Sequence, residues 1–217
     1  MPILALDTTM QACSVAIARD GEILARCHRP LERGHAEELL PMVEAVRRQA
    51  AIEFAELDLI AVTIGPGTFT GVRIGLAAAR GLALVGAVPV LGLGTLEVLA
   101  LAAPVGEPVI AAIDARRGEV YAQAFDGAGE AVTEALARPP SDLPPPPSPA
   151  GNLVGTGGAL VRPVMPDWRL LDAVQQPDAG VLARHADRLR HRASAHGGPA
   201  PLYLRPTDAR LPDGRGN

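Results

Sequence analysis

Val109-Ile110-Ala111-Ala112-Ile113-Asp114 repeats, in pattern, the way the chain begins. Ile3-Leu4-Ala5-Leu6 is an apolar run of strand length that ends in an Asp7-Thr8-Thr9 turn. A second strand, Cys13 to Ala18, follows, and Asp20-Gly21 turns it into a third, Glu22 to Cys27. In the later copy Asp114 ends the strand, Arg116-Arg117-Gly118 turns, Glu119 to Phe125 alternates as a strand, and Asp126-Gly127 turns again. This repeat predicts two related half-domains, residues 1–105 and 106–217, joined by the linker from Pro104 to Pro108.

Between the copies the periodicity alternates between helix and strand. From His35 to Ala50 the apolar residues Leu39, Met42, Val43 and Val46 fall at i, i+3, i+4 and i+7, which marks an amphipathic helix. The apolar run Leu57 to Ile64 stops at Gly65-Pro66-Gly67, and an Ala- and Leu-rich helix begins directly after it, with Thr68 and Thr70 both suited to capping its start. Gly71, Gly75 and Ala79 recur every fourth residue of that helix and so share one face. Each glycine inside a helix costs about 1 kcal/mol against alanine, so the strip implies a close approach, either to the protein's own sheet or to a second subunit. A strand at Val88 to Leu91 and a short helix from Thr95 to Ala102 complete a mixed sheet with helical crossovers, hence an α/β fold.

Composition narrows the function classes. The net charge of −4 argues against strong autonomous nucleic-acid binding, although all 20 basic residues are arginine. The arginines of the helix expected from Asp178 to Ala193 read first as a solvated face and second as RNA phosphate contacts. Cys13 and Cys27 match no zinc or disulfide spacing and are expected to be free thiols. No signal-peptide pattern opens the chain, and the uncharged run between Arg80 and Glu97 is shorter than the ~20 residues of a membrane span, so a cytoplasmic protein with no membrane association is expected. Pro144 to Pro147 place an exposed loop within residues 138–149, and the tail beyond Leu211 is expected to be frayed.

Chemistry-bearing candidates are few. Asp7, Thr8 and Thr9, with Asp114 and the Gly155 to Gly158 turn, offer acceptors, hydroxyls and flexible backbone suited to a phosphate, and they are equally ordinary turn residues. The Gly65 turn lacks the ending of a P-loop. His28, His35, His185, His191 and His196 form no pair one helical turn apart, so no metal site is assigned, and no Ser-His-Asp or Cys-His set can be argued from spacing, so no catalytic residue is assigned.

The opening strand with Asp7-Thr8-Thr9, His35-Ala36-Glu37 with Leu39-Leu40-Pro41, the block Gly65-Pro66-Gly67-Thr68-Phe69-Thr70-Gly71-Val72-Arg73-Ile74-Gly75, Asp114-Ala115-Arg116-Arg117-Gly118-Glu119-Val120-Tyr121 and Pro201-Leu202-Tyr203-Leu204-Arg205 together resemble the bacterial TsaB (YeaZ) family. The resemblance implies a fold of the actin, sugar-kinase and chaperone-ATPase (ASKHA) type with duplicated mixed-sheet half-domains. It also implies a role as non-catalytic dimerisation subunit of the complex that places threonylcarbamoyl on an adenosine of transfer RNA. The implied partners are the catalytic paralogue TsaD and the ATPase TsaE, with transfer RNA bound through the complex and homodimers formed when the chain is alone. No cofactor is expected on this chain, while the complex uses ATP and Mg. The implied contact lies on the two N-terminal helices, here with His35, Leu39, Met42, Val43, Val46, Gly71, Gly75, Ala78 and Ala79. The alternative is a nucleotide-binding ATPase or kinase-like enzyme acting alone through Asp7, Thr8, Thr9, Asp114, Gly155 and Gly157.

Overall fold

The computed structural model describes residues 1–194 and 198–205; His196 and the tail beyond Leu211 lie outside them. Strands β1 (Pro2–Met10), β2 (Ala12–Arg19) and β3 (Glu22–Pro30) open the chain. They are followed by α1 (His35–Ala50), β4 (Leu59–Thr63), α2 (Phe69–Gly86), β5 (Val90–Leu93) and α3 (Thr95–Leu101). The second series is β6 (Val109–Asp114), β7 (Val120–Phe125), β8 (Leu136–Arg138), β9 (Asn152–Val154), α4 (Gly158–Val161), β10 (Arg169–Leu170) and α5 (Ala179–Ala186).

The two sheets have one topology. The first runs β3-β2-β1-β4-β5 and the second β8-β7-β6-β9-β10. In each, the first two pairings are antiparallel and the last two parallel. The repeat of strand, Asp, turn, strand is therefore a duplicated sheet, with Asp7 and Asp114 on equivalent central strands.

β1 is buried along its whole length because helices cover both faces of its sheet. Leu4 and Leu6 point, with Val15 and Ile17, into the layer of α1 and α2. Ile3 and Ala5 point the other way, with Ala16 and Ala18, onto Ala179, Ala183 and Ala186 of α5. Alanine facing alanine lets that helix lie close to the sheet, which suits a chain with only 3% aromatic residues. In the second half Leu143 packs against the cluster of Ile110, Ala122 and Ala124, and Pro144 to Pro147 line a pocket with the same residues.

Three expectations change. The boundary at residue 105 separates the sheets but not the layers: α3 packs on β6 and β7, and α5 returns to β1, β2 and β3. The helix expected from Asp178 to Ala193 stops at Ala186, because the chain turns so that Ser194 can pair with Val90 at the edge of the first sheet. Asp7-Thr8-Thr9 is no turn; β1 continues through it to Met10, with a register irregularity between Asp7 and Met10.

Candidate functional site

The Gly-Pro-Gly stretch brings α2 down onto the end of β1. A Cβ at Gly67 would lie 2.4 Å from the Thr9 carbonyl oxygen, one at Gly71 2.1 Å from that of Thr8, and one at Gly75 2.8 Å from the Thr8 hydroxyl. Only glycine permits that approach. Thr8 Oγ1 donates to the Gly71 carbonyl at 2.7 Å, Thr68 donates its N–H to the Thr9 carbonyl at 2.8 Å, and the Thr68 hydroxyl caps the helix by accepting from Gly71 N at 3.1 Å.

The strip of Gly71, Gly75 and Ala79 therefore meets the protein's own sheet, which corrects its assignment to a partner seam. His35, Leu39, Met42, Val43 and Val46 are likewise buried in this chain, and Ala78 is half-buried against the same core. His35 donates through Nε2 to the Met10 carbonyl at 3.0 Å. These positions carry the apolar periodicity because they build the first layer of the core.

Asp7 and Thr8 are also corrected as phosphate ligands, since both are fully buried: Thr8 lies under α2, and Asp7 lies on the opposite face of β1 with Thr9, Thr63 and its cross-strand neighbour Ser14. One Asp7 oxygen accepts from Thr63 Oγ1 at 2.5 Å and Thr9 Oγ1 at 2.7 Å. Its other oxygen is buried with no partner among the described residues. Burial pushes the Asp7 carboxyl up to about 6 against the lowering effect of those hydroxyls.

A cleft of about 400 Å³ opens where the two sheets meet, lined by Thr9, Gln11, Thr68, Asp114, Arg116 and Thr156 among others. Of the predicted phosphate ligands it joins only Thr9 and Asp114. Gly155 and Gly157 turn away: a Cβ at either would strike β6, at 2.3 Å from the Ala112 carbonyl oxygen and 2.9 Å from the Ile113 carbonyl carbon respectively. Thr156 between them reaches the cleft and accepts from Asp114 N at 3.1 Å; a threonine between turn glycines carries no sequence signal of its own. Asp114 is turned into its own loop, accepting from Arg116 N at 2.7 Å and lying 3.4 Å from the Arg116 guanidinium. The residues present thus fit a nucleotide's phosphates poorly, with one carboxylate sealed and the other engaged. Among the described residues no three His, Cys, Asp or Glu side chains cluster.

The outer face of α2 is a second site. Ala77, Gly81, Leu84 and Val85 are exposed and fall at i, i+4, i+7 and i+8, the spacing of a helix-pairing seam, with the half-buried Ile74 and Ala78 at its border with the core. Leu84 and Val85 are 84% and 86% exposed, Leu40 on α1 is 54% exposed, and nothing lies within 4 Å of a Cβ placed on Gly81. By length and composition alone α2 would pass for a membrane span, with mean hydropathy 1.3 over 18 residues, but its inner face is core. At its start the Phe69 and Tyr203 rings stack at 5.6 Å, with the Arg73 guanidinium 3.4 Å from the centre of the Phe69 ring.

This architecture has close counterparts. A family model for tRNA N6-adenosine threonylcarbamoyltransferase (TsaD) matches residues 29–145. The tRNA threonylcarbamoyladenosine biosynthesis protein TsaB of Escherichia coli is 44% identical over 125 residues. YeaZ from Pseudomonas aeruginosa is 33% identical and superposes with a TM-score of 0.81 over 94% of this chain and 99% of that one. The chain belongs to the TsaB (YeaZ) family. It spans about half the length of the curated TsaB relatives it matches, 53% for the E. coli protein and 52% for that of Haemophilus influenzae. Component A of the Acidaminococcus fermentans (R)-2-hydroxyglutaryl-CoA dehydratase, at 11% identity and a TM-score of 0.53, shares the fold alone. The TsaB-family fold seen here is the duplicated mixed-sheet fold of the actin, sugar-kinase and chaperone-ATPase type.

Proposed function

We propose that this chain is a non-catalytic docking subunit in the formation of threonylcarbamoyladenosine on transfer RNA, holding a TsaD-like catalytic paralogue on the outer face of α1 and α2. The observation that carries the reading is the α2 seam. Gly81 costs helix stability without any close contact inside the chain, and it is flanked by Leu84 and Val85, which are almost fully exposed. A paralogue's helix laid along Ala77, Gly81 and Leu84 removes that surface from water and uses the missing side chain for close approach. The curated name of the E. coli relative supplies the pathway. In this reading a TsaE-like ATPase, ATP and Mg act in the cytoplasmic complex and not in the cleft of this chain. The free subunit pairs with a copy of itself through the same seam, in competition with the paralogue.

The test is an omission assay containing transfer RNA, threonylcarbamoyl-adenylate, ATP, Mg, the catalytic paralogue and the ATPase, scored for modified adenosine by mass spectrometry. Modification is expected only when this chain is present, and none when it is the only protein. Full-rate modification without it ends the proposal.

A further inference from the structure

Away from the docking seam, a groove of about 450 Å³ wraps the edge strand β3 at Ile23–Arg26, with Gln49 at the end of α1 on one side and Arg184 of α5 on the other. Arg26, Gln49 and Arg184 are exposed, and no acidic side chain lines the groove. The Arg26 side chain lies across the first turn of α5, with Nη1 3.9 Å from a Cβ placed on Gly180, one helical turn before Arg184. Arg188, beyond the end of α5, is exposed and lines a different pocket with His185, Glu107 and Asp126.

The chain has an acidic excess, and ion pairs take up Arg29, Arg47, Arg48, Arg169 and Arg192 with Glu38, Glu44, Glu107 and Glu97. Among the described residues no ion pair joins Arg26 or Arg184. Several other arginines, Arg33, Arg138 and Arg162 among them, join no ion pair among the described residues; Arg26 and Arg184 differ in lining one groove together. The acidic groups nearest α5 are engaged elsewhere: Asp178 caps the helix and faces His28 at 3.6 Å, and Asp187 pairs with Arg190.

We infer that the Arg26–Arg184 groove is a phosphate-binding surface that takes the backbone of an RNA. Two guanidinium forks and a carboxamide around an open trough match the oxygens of successive phosphodiesters, which accept paired N–H donors. A trough that runs round the edge of a sheet suits a polymer passing across it. A protein strand added to the edge fits less well, because Leu24 bulges out of register between Ile23 and Ala25 and breaks the ladder that such a strand would continue. The inference rests on the tRNA-modifying role proposed above, in which the RNA contacts this subunit at a surface separate from the paralogue's seam.

The test is the affinity of transfer RNA for the assembly of this chain with its catalytic paralogue, followed by fluorescence anisotropy across a salt series. It compares the wild type, R26E/R184E and the charge-conserving R26K/R184K. For the reversal variant we expect a loss on the order of tenfold or more at ~0.15 M salt, with the log–log salt slope shallower by about 1.5. The lysine variant should recover most of the slope, and thermal melting and co-elution with the paralogue should be unchanged. Equal affinity and slope for wild type and R26E/R184E overturn the site while leaving the docking role intact. Lost co-elution assigns the groove to a protein partner and overturns it as well. A wild-type assembly that binds no transfer RNA overturns both the site and the role.

Discussion

The Thr8 hydroxyl donates to the Gly71 carbonyl at 2.7 Å, and the Thr8 carbonyl oxygen lies 2.1 Å from where a side chain on Gly71 would begin. This one contact fixes the orientation of α2. It presses the Gly71, Gly75, Ala79 strip onto β1 and β4 and turns Gly81, Leu84 and Val85 outward.

Gly71 and Gly81 should accordingly respond to alanine in opposite directions. Gly71→Ala forces a methyl group against backbone and should cost about 3 kcal/mol, because a carbonyl of the central strand cannot yield cheaply. Gly81→Ala meets open space and should gain about 0.5–1 kcal/mol from helix propensity alone. Urea denaturation of the isolated chain measures both, and a neutral Gly71→Ala would mean that α2 does not sit as described.

Outward apolar residues predict a loss of assembly without a loss of fold. Leu84→Asp with Val85→Asp places carboxylates where the seam would be desolvated, so affinity for the catalytic paralogue should fall on the order of a hundredfold or more. The melting temperature of the subunit should stay within a few degrees of wild type, since both side chains are already in water. Size-exclusion chromatography with the paralogue reads the outcome. Undiminished co-elution would place the interface elsewhere.

The pattern of strands was legible because apolar runs ending at Asp7 and Asp114 are local signals, and their repetition made the duplication visible before any pairing was known. The inward face of α2 was not legible. The helix carries two apolar strips, one through Gly71, Gly75 and Ala79 and one through Ile74, Ala77, Gly81 and Leu84, and periodicity cannot choose between them. The choice is made by a carbonyl more than sixty positions away in sequence. The return of α5 to the first sheet was hidden for a similar reason, because Ala179, Ala183 and Ala186 acquire meaning only opposite Ala5, Ala16 and Ala18. Asp7 looked like a ligand because aspartate at a strand end usually meets solvent, whereas β1 runs on to Met10 and encloses Asp7 among Thr9, Thr63 and Ser14.

The cleft predicts weak nucleotide chemistry. With Asp7 enclosed, Asp114 held by its own loop, and Gly155 and Gly157 used against β6, titration of the isolated chain with millimolar Mg-ATP should give no saturable heat in calorimetry. Saturable binding below about 0.1 mM, equivalent to more than about 5 kcal/mol, would revive the kinase-like alternative.

Asp7 also predicts a pH signature. Its carboxyl is pushed up to about 6 in the folded protein, above its ordinary value of 3.8, because burial strips the ionised form of water, and one of its oxygens has no partner among the described residues. A raised carboxyl contributes its full stability below pH 3.8, where it is protonated in both states, and that stability is lost as pH rises through 6. The loss over the whole window is about 3 kcal/mol at 1.36 kcal/mol per pH unit. Asp7→Asn keeps an oxygen for Thr63 and Thr9 and cannot ionise, so its stability relative to wild type should rise by most of that amount, about 2.4 kcal/mol, between pH 4 and pH 7.5, whatever fixed cost the amide introduces. Every other titrating group is common to the two proteins and cancels in the difference. Parallel denaturation curves at four or five pH values measure it, and a difference that stays flat across the window would show that Asp7 reaches solvent or a cation.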